Sequence, residues 1–362
     1  MISGWRRARV KLYYLALVLG LCLAGLLIVA KTETLKRDEN YQLKVEAALT
    51  MKKSMEIIRD YRLENGIIIN LRDDPNQTGL IGKEYTDITT SLGNLPAKRT
   101  ATNPDFAALL VDMFLKVGLK AGDTIAVGSS GSFPSLVIAT MAASKVMGLR
   151  PIIISAIGAS MWGANDPRLS LLDMERILYQ RGILPYRSVA ASMGGDWDHG
   201  VNFFGHEEKT FLAIMKRSGV PLIYEEDIIK SIEKRVELYH RYANEEKIKL
   251  FVNVGGASAN IGECIHASRI PNGLSLRLET CSHDDRGVIF RMAERGIPVI
   301  HLLNIRGLAA TYGLPIDPIP LPEIGKGSLY YKVSYSKTAA AMVLFIIFAT
   351  LLFIRFFRKL ES

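Results

Sequence analysis

Residues 124–134 read TIAVGSSGSFP, a short apolar run closed by a Gly/Ser loop and a proline. The run suits a buried strand, and Pro134 suits the first turn of a helix, where its missing N–H has no partner to lose. That helix extends to about Met147, and a second apolar run, PIIISAIG, begins at Pro151. Upstream, Asn103-Pro104 opens a helix whose Phe106, Leu109, Leu110, Met113 and Phe114 mark one face and which ends near Gly118. Downstream, strands are expected at 188–191, 221–224, 250–254 and 298–303, with helices near 171–180, 207–217, 226–242 and 284–295. Strands that are apolar throughout and separated by helices imply a parallel sheet covered on both faces. The expected fold is therefore α/β, a Rossmann-like, doubly wound and mostly parallel sheet over residues 103–336.

Two apolar segments flank this pattern. Residues 12–30, LYYLALVLGLCLAGLLIVA, carry no charge, and at about 1.5 Å of rise per residue they nearly match a hydrocarbon core of about 30 Å. A cleavable signal peptide is the competing reading, because Arg6, Arg7, Arg9 and Lys11 form a basic leader, but the run exceeds the usual apolar core of about 7–15 residues. Residues 338–354, TAAAMVLFIIFATLLFI, give a second span within 337–356, with Arg355 able to snorkel and Phe356 and Phe357 suited to the interface. A buried C-terminal helix is the alternative, and it has to account for an apolar surface all round. The basic residues outside the two spans place the tails, 1–11 and 357–362, in the cytoplasm and the middle domain outside it. Residues 31–102 are expected as a helical stalk and loop, the helix, a stalk or a packing helix, being spaced by Leu43, Ala47, Met51, Met55 and Ile58 and closed by Asn65-Gly66.

Of the formal net charge of +9, four positive residues lie in the first eleven and a net two from Arg355 onward, which leaves the middle only slightly basic. No basic stripe with interleaved aromatics appears, so nucleic acid is not an expected partner. Of the three cysteines, Cys22 lies in the first span, and Cys264 and Cys281 read either as one disulfide in an oxidising compartment or as two buried thiols.

In doubly wound sheets ligands collect at the carboxyl ends of the strands, so the loops there are the candidate sites. Gly128, Ser129, Ser130, Gly131 and Ser132 would offer backbone amides, hydroxyls and a helix N-terminus to a phosphate or carboxylate; a tight turn with a serine cap is the plain alternative. The loop is neither a P-loop nor a dinucleotide fingerprint. In the next loop Trp162 offers a stacking wall and Asn165 and Asp166 hydrogen bonds, although Asn-Asp-Pro also turns chains unaided. Gly255, Gly256, Ser258 and Asn260, within VGGASANIG, form a further anion-facing candidate or turn. The hydrolase elbow Gly-x-Ser-x-Gly is approached and missed at Ser130, Ser160 and Ser258, which leaves Ser129, Ser130 and Ser132 as weak nucleophile candidates.

No cofactor is expected, but Asp196, Asp198 and His199 in GGDWDHG have the chemistry to hold a divalent metal, and Gly194, Gly195 and Gly200 would let the loop wrap it; a solvated Asp/Gly loop with no fourth ligand is the alternative. His283, Asp284 and Asp285 form a weaker cluster that helix capping explains, and His266 and His301 read as structural.

GLIGKEYTDITTSLGNLPAKRTATNPDFAALLVDMFLKVGLKAGDTIAVGSSGSFPSL, with SAIGASMWGANDPRLSLLDME and VNVGGASANIG, resembles the bacterial poly-γ-glutamate system protein family over nearly the whole chain. The likeness lies in long phrases, GSSGSFPSL and SMWGANDP among them, and carries no catalytic residue with it. It implies a membrane-associated accessory of the machinery that makes or exports poly-γ-glutamate, with synthase subunits and the polyanionic polymer as partners. A non-catalytic binding component and an extracytoplasmic γ-glutamyl hydrolase or transferase are both compatible with it.

Overall fold

The computed structural model describes residues 11–202, 205–206, 208–263, 267–279, 281 and 283–360. Cys264, His266 and the basic residues Arg6, Arg7 and Arg9 lie outside them. The chain divides into two compact units, one of residues 1–39 with 331–362 and one of residues 40–330.

The terminal unit holds two helices, Leu12–Ala30 and Lys337–Leu360, each long and apolar enough to cross a membrane. Their side chains, Leu26, Leu27, Leu344, Phe345 and Phe348 among them, are exposed, so the C-terminal helix is no core element of a folded body. The two helices pack where Gly25 faces Val343, and a Cβ on Gly25 would come 2.3 Å from Val343 Cγ1. Directly inside them, strands Thr34–Arg37 and Tyr331–Ser334 pair antiparallel, Thr34 with Ser334 and Arg37 with Tyr331. Lys332 locks the ribbon by reaching Asp38 at 2.7 Å.

The second unit begins with α1 (Tyr41–Glu64), then β1 (Thr89–Ser91), α2 (Leu95–Ala101) and α3 (Asp105–Val117). There follow β2 (Thr124–Ser130), α4 (Pro134–Val146), β3 (Arg150–Ala156), β4 (Ala159–Ser160), α5 (Leu171–Gln180) and β5 (Ala190–Ser192). The last third adds α6 (Glu208–Ser218), α7 (Ile228–Ala243), β6 (Ile248–Val254), α8 (Ser258–Ile261), β7 (Gly273–Ser275), α9 (Val288–Ala293), β8 (Val299–Leu302) and α10 (Ile305–Tyr312). The central sheet has six strands in the order β7-β8-β6-β2-β3-β5, all parallel except β7.

Both faces of the sheet are covered, which is why its strands lack polar alternation. Ile125, Val127, Ile153, Leu250 and Val252 pack on one side with α1, α3, α4 and α5, while Ala126, Ile154, Phe251 and Val299 pack on the other with α7 and α9. Each fully buried Phe, such as Phe106, Phe114 or Phe251, contributes about 1.5–3 kcal/mol by leaving water, so this bilayered core dominates stability.

The unit, residues 40–330, begins well before the expected 103 and ends just short of 336, because α1 packs into it as a packing helix and not as a free stalk. Its Ala47, Met51, Met55 and Ile58 face is buried against α3 and α4, and Lys44 pairs with Asp112 at 3.1 Å. Arg62 at its end donates to the carbonyls of Gly79, Ile81 and Ile68, fastening the loop that follows. The strand expected at 221–224 contracts to one bridge at Leu222, held by Ala191 N to Pro221 O and Ile223 N to Ala191 O.

Candidate functional site

β2 leaves the sheet at Ser130 and the chain reaches the first turn of α4 at Pro134 in three residues. Strand alternation splits the serines. Ser129 Oγ lies 2.7 Å from Ser155 Oγ in a buried chain that continues through Ser188 to Glu175, away from the loop end. Ser130 lies on the other side, against Gly255, whose φ of +87° and whose absent Cβ, which would stand 2.6 Å from Ser130 Oγ, allow the two loops to touch. Gly128 similarly makes room for Asn260, 2.7 Å from where its Cβ would be, and Gly131 packs on the Ile157 carbonyl.

A cleft of about 460 Å³ opens at the carboxyl ends of the strands, between the loops after β2 and β6, where the strand order turns back. Its walls include Ser130, Ser132, Ser160, Gly256, Ser258, Lys98 and Arg306, and Phe133, the residue before α4. Ser258 Oγ donates to Gly195 O at 3.2 Å, joining the β6 and β5 loops across one side.

The group with the most unusual surroundings is Lys98. β1 pairs parallel with β4, Thr89 with Ala159 and Ser91 with Ser160, and the chain then turns into α2, capped by Asn94 accepting from Ala97 N at 3.0 Å. This register brings Lys98, one turn into α2, directly over Ser160. Lys98 Nζ lies 2.6 Å from Ser160 Oγ and donates to the Ser132 carbonyl, while the Phe133 ring centroid is 4.1 Å away. Ser160 N in turn donates to Ser132 Oγ at 3.1 Å. Lys98 is 3% exposed, and among the described residues it forms no ion pair. Burial without a countercharge brings its ammonium down to about 7. Arg306 is exposed on the same cleft and likewise has no ion pair among the described residues. Asp196, also exposed on the rim, pairs with neither.

The other candidates are placed as follows. Gly256 and Ser258 line the cleft, while Gly255 and Asn260 stand behind it; neither amide atom of Asn260 has a partner among the described residues. Trp162, Asn165 and Asp166 do not line it. Asn165 is spent on Lys83 N, Lys83 O and Thr89 Oγ1, and Trp162, at φ +59°, shares backbone bonds with Lys83 and Gly82. Burial pushes Asp166 up, but Arg168 and Lys83 outweigh it and hold the carboxyl down to about 2. The loop is thus a brace, and the turn reading describes it.

The metal triad is not gathered. Asp198 is buried 2.9 Å from Arg235, His199 Nε2 meets the Glu225 carbonyl, and only Asp196 reaches the cleft. Among the described residues no three His, Cys, Asp or Glu side chains are grouped to hold a metal. His301 is structural as expected, with Nδ1 2.9 Å from Asn253 Nδ2 and burial lowering it to about 4. Cys281 is disulfide-bonded and Cys22 is free.

Sequence reasoning passed over Lys98 and Arg306. The signal at Lys98 was Asn94-Leu95-Pro96, a helix start that sets Lys98 on the same face as Leu95 and Ala101. Comparison of the chain with protein-family models, curated proteins and solved structures finds no match.

Proposed function

We propose that this chain is a membrane-anchored accessory of poly-γ-glutamate synthesis or export, whose domain lies outside the cytoplasmic membrane and binds carboxylates of the polymer. The observation that carries the reading is the cleft lined by Arg306, an exposed cation that no carboxylate among the described residues pairs. Helix α4 directs its positive end toward the same space, which favours an anion further. From the sheet edge the parallel strands run in sequence order 3-2-1-4-5, with the cleft at the reversal, which supports a Rossmann-like domain. The apolar helices support anchoring, and the disulfide at Cys281 suits an oxidising compartment. The phrases GSSGSFPSL and SMWGANDP, similar to the poly-γ-glutamate system family, support the pathway and its synthase subunits as neighbours.

The test is calorimetric titration of the full chain in detergent micelles with γ-linked glutamate oligomers. Binding weakened about tenfold or more by Arg306→Ala is expected, the loss of one charge-assisted contact. Oligomers that fail to bind, or that bind the variant equally well, sink the reading. Reporter fusions at Lys31 and Ser336 check orientation, and cytoplasmic activity at both reverses it.

A further inference from the structure

The contact between Lys98 and Ser160 asks for an explanation that carboxylate binding does not supply. An ammonium that served only to attract an anion would be better placed at the rim, as Arg306 is, where it keeps its charge at little cost. A lysine that served only packing would be satisfied by carbonyls alone or by an acid, as Lys44 is by Leu329 O and Asp112. Lys98 instead donates to the Ser132 carbonyl and places Nζ 2.6 Å from a serine hydroxyl on a cleft wall. A neutral amine held in that way donates to the carbonyl and accepts from the hydroxyl, which is the arrangement an activated alcohol requires.

We propose that Ser160 is a nucleophile with Lys98 as its general base, and that the cleft performs acyl transfer on an amide or ester bearing a carboxylate. The carboxylate in this substrate class rests on the binding reading above; the dyad itself does not. Ser160 Oγ forms a bond to the acyl carbon as its proton passes to Lys98 Nζ. The tetrahedral adduct then expels the amine or alcohol, which takes that proton from Lys98 as the carbon–nitrogen or carbon–oxygen bond breaks. Water, deprotonated by Lys98, attacks the Ser160 ester and releases a carboxylic acid, with the proton returning to Ser160 Oγ; an amine in place of water gives a transferred acyl group. The Phe133 face, beside Nζ, favours the ammonium at the moment it forms. Because burial brings Lys98 down to about 7, a free base is available near neutral pH.

The dyad is tested on the full chain in micelles with an alkyl fluorophosphonate, a serine-reactive probe that carries no carboxylate, and the adduct located by mass spectrometry. The expected result is an adduct at Ser160, absent in Ser160→Ala, formed about a hundredfold or more slowly in Lys98→Met, and formed faster in the wild type as pH rises through about 7. Ser160→Cys gives a measure that does not depend on the folding of a Lys98 variant. Its thiol should react with iodoacetamide at pH values well below the ordinary thiol value of about 8.5. No adduct at Ser160 in the wild type, or an ordinary thiol profile in Ser160→Cys, overturns the proposal. Labelling of a protein that ignores glutamate oligomers removes the carboxylate reading and leaves the dyad; oligomer binding without labelling does the reverse.

Discussion

Two of the buried cations in this molecule, Arg235 and Lys98, are held under opposite terms. Arg235, 1% exposed, meets Asp198 at 2.9 Å, and both share Ser192 and Ser231, so every charge there is answered. Lys98 is nearly as buried but meets only a carbonyl, a hydroxyl and an aromatic face, and it opens onto a cleft. The first arrangement fixes a fold, since a neutralised pair is costly to break and inert once made. The second keeps a proton loosely held, and that is useful only where a proton has to move.

The comparison breaks most directly at Asp198. Asp198→Ala strands the Arg235 charge in the core and should cost about 3–5 kcal/mol in chemical denaturation, with most of it regained in the double variant with Arg235→Met. A loss under about 1 kcal/mol would mean that the pair is no anchor. Gly255→Ala comes next. It must place a side chain at φ +87° and 2.6 Å from Ser130 Oγ, so a loss of about 1–2 kcal/mol is expected together with a narrowed cleft and weaker oligomer binding.

Acid–base behaviour sharpens the contrast. Lys98 in the folded chain releases its proton near pH 7, whereas the unfolded chain holds it to about 10.5. Between those values the unfolded state binds more protons, so stability climbs with pH across that window and is lowest below 7. Lys98→Met should flatten this rise in melting curves taken from pH 6 to 10, and an unchanged slope would place the lysine in ordinary solvent. Glu175 gives the smallest effect and the opposite sign. Burial raises its carboxyl, so stability is lost as pH climbs past its unfolded value of about 4.5. Glu175→Gln should change stability by less than about 1 kcal/mol at pH 5 while removing that decline, as melting at pH 5 and 8 would report.

The sheet was legible because burial on both faces leaves strands such as 124–127 and 250–254 mostly apolar, with Thr124 and Asn253 the polar exceptions and no alternation of polar with apolar positions. β7 was not, since Gly273, Leu274 and Ser275 pair with β8 at an edge and carry no pattern of their own. Loop chemistry was half legible. Gly128 to Ser132 stood out by composition, but alternation sends Ser129 into the core and Ser130 to the cleft, which requires knowing where the strand ends. Lys98 was hidden for a different reason. A lone lysine in a helix reads as solvated, and the contact that buries it comes from Ser160, 62 residues further along, through pairing of strands only two or three residues long. Asp166 and Asp198 misled in the opposite direction, because an acid in a glycine-rich or turn-like loop looks available until its distant cation arrives, Arg235 for Asp198 and Lys83, beside the neighbouring Arg168, for Asp166.

The ribbon between Thr34–Arg37 and Tyr331–Ser334 sets a schedule for how the molecule is made. Thr34 Oγ1 donates to a carbonyl 300 residues away, so this clasp cannot close until nearly the whole chain has been synthesised. At about 5–20 residues per second that is a wait of roughly 15–60 s, during which residues 40–330 are synthesised before the ribbon can form. The ribbon therefore works as a completion mark, registering the arrival of the second helix beside the first.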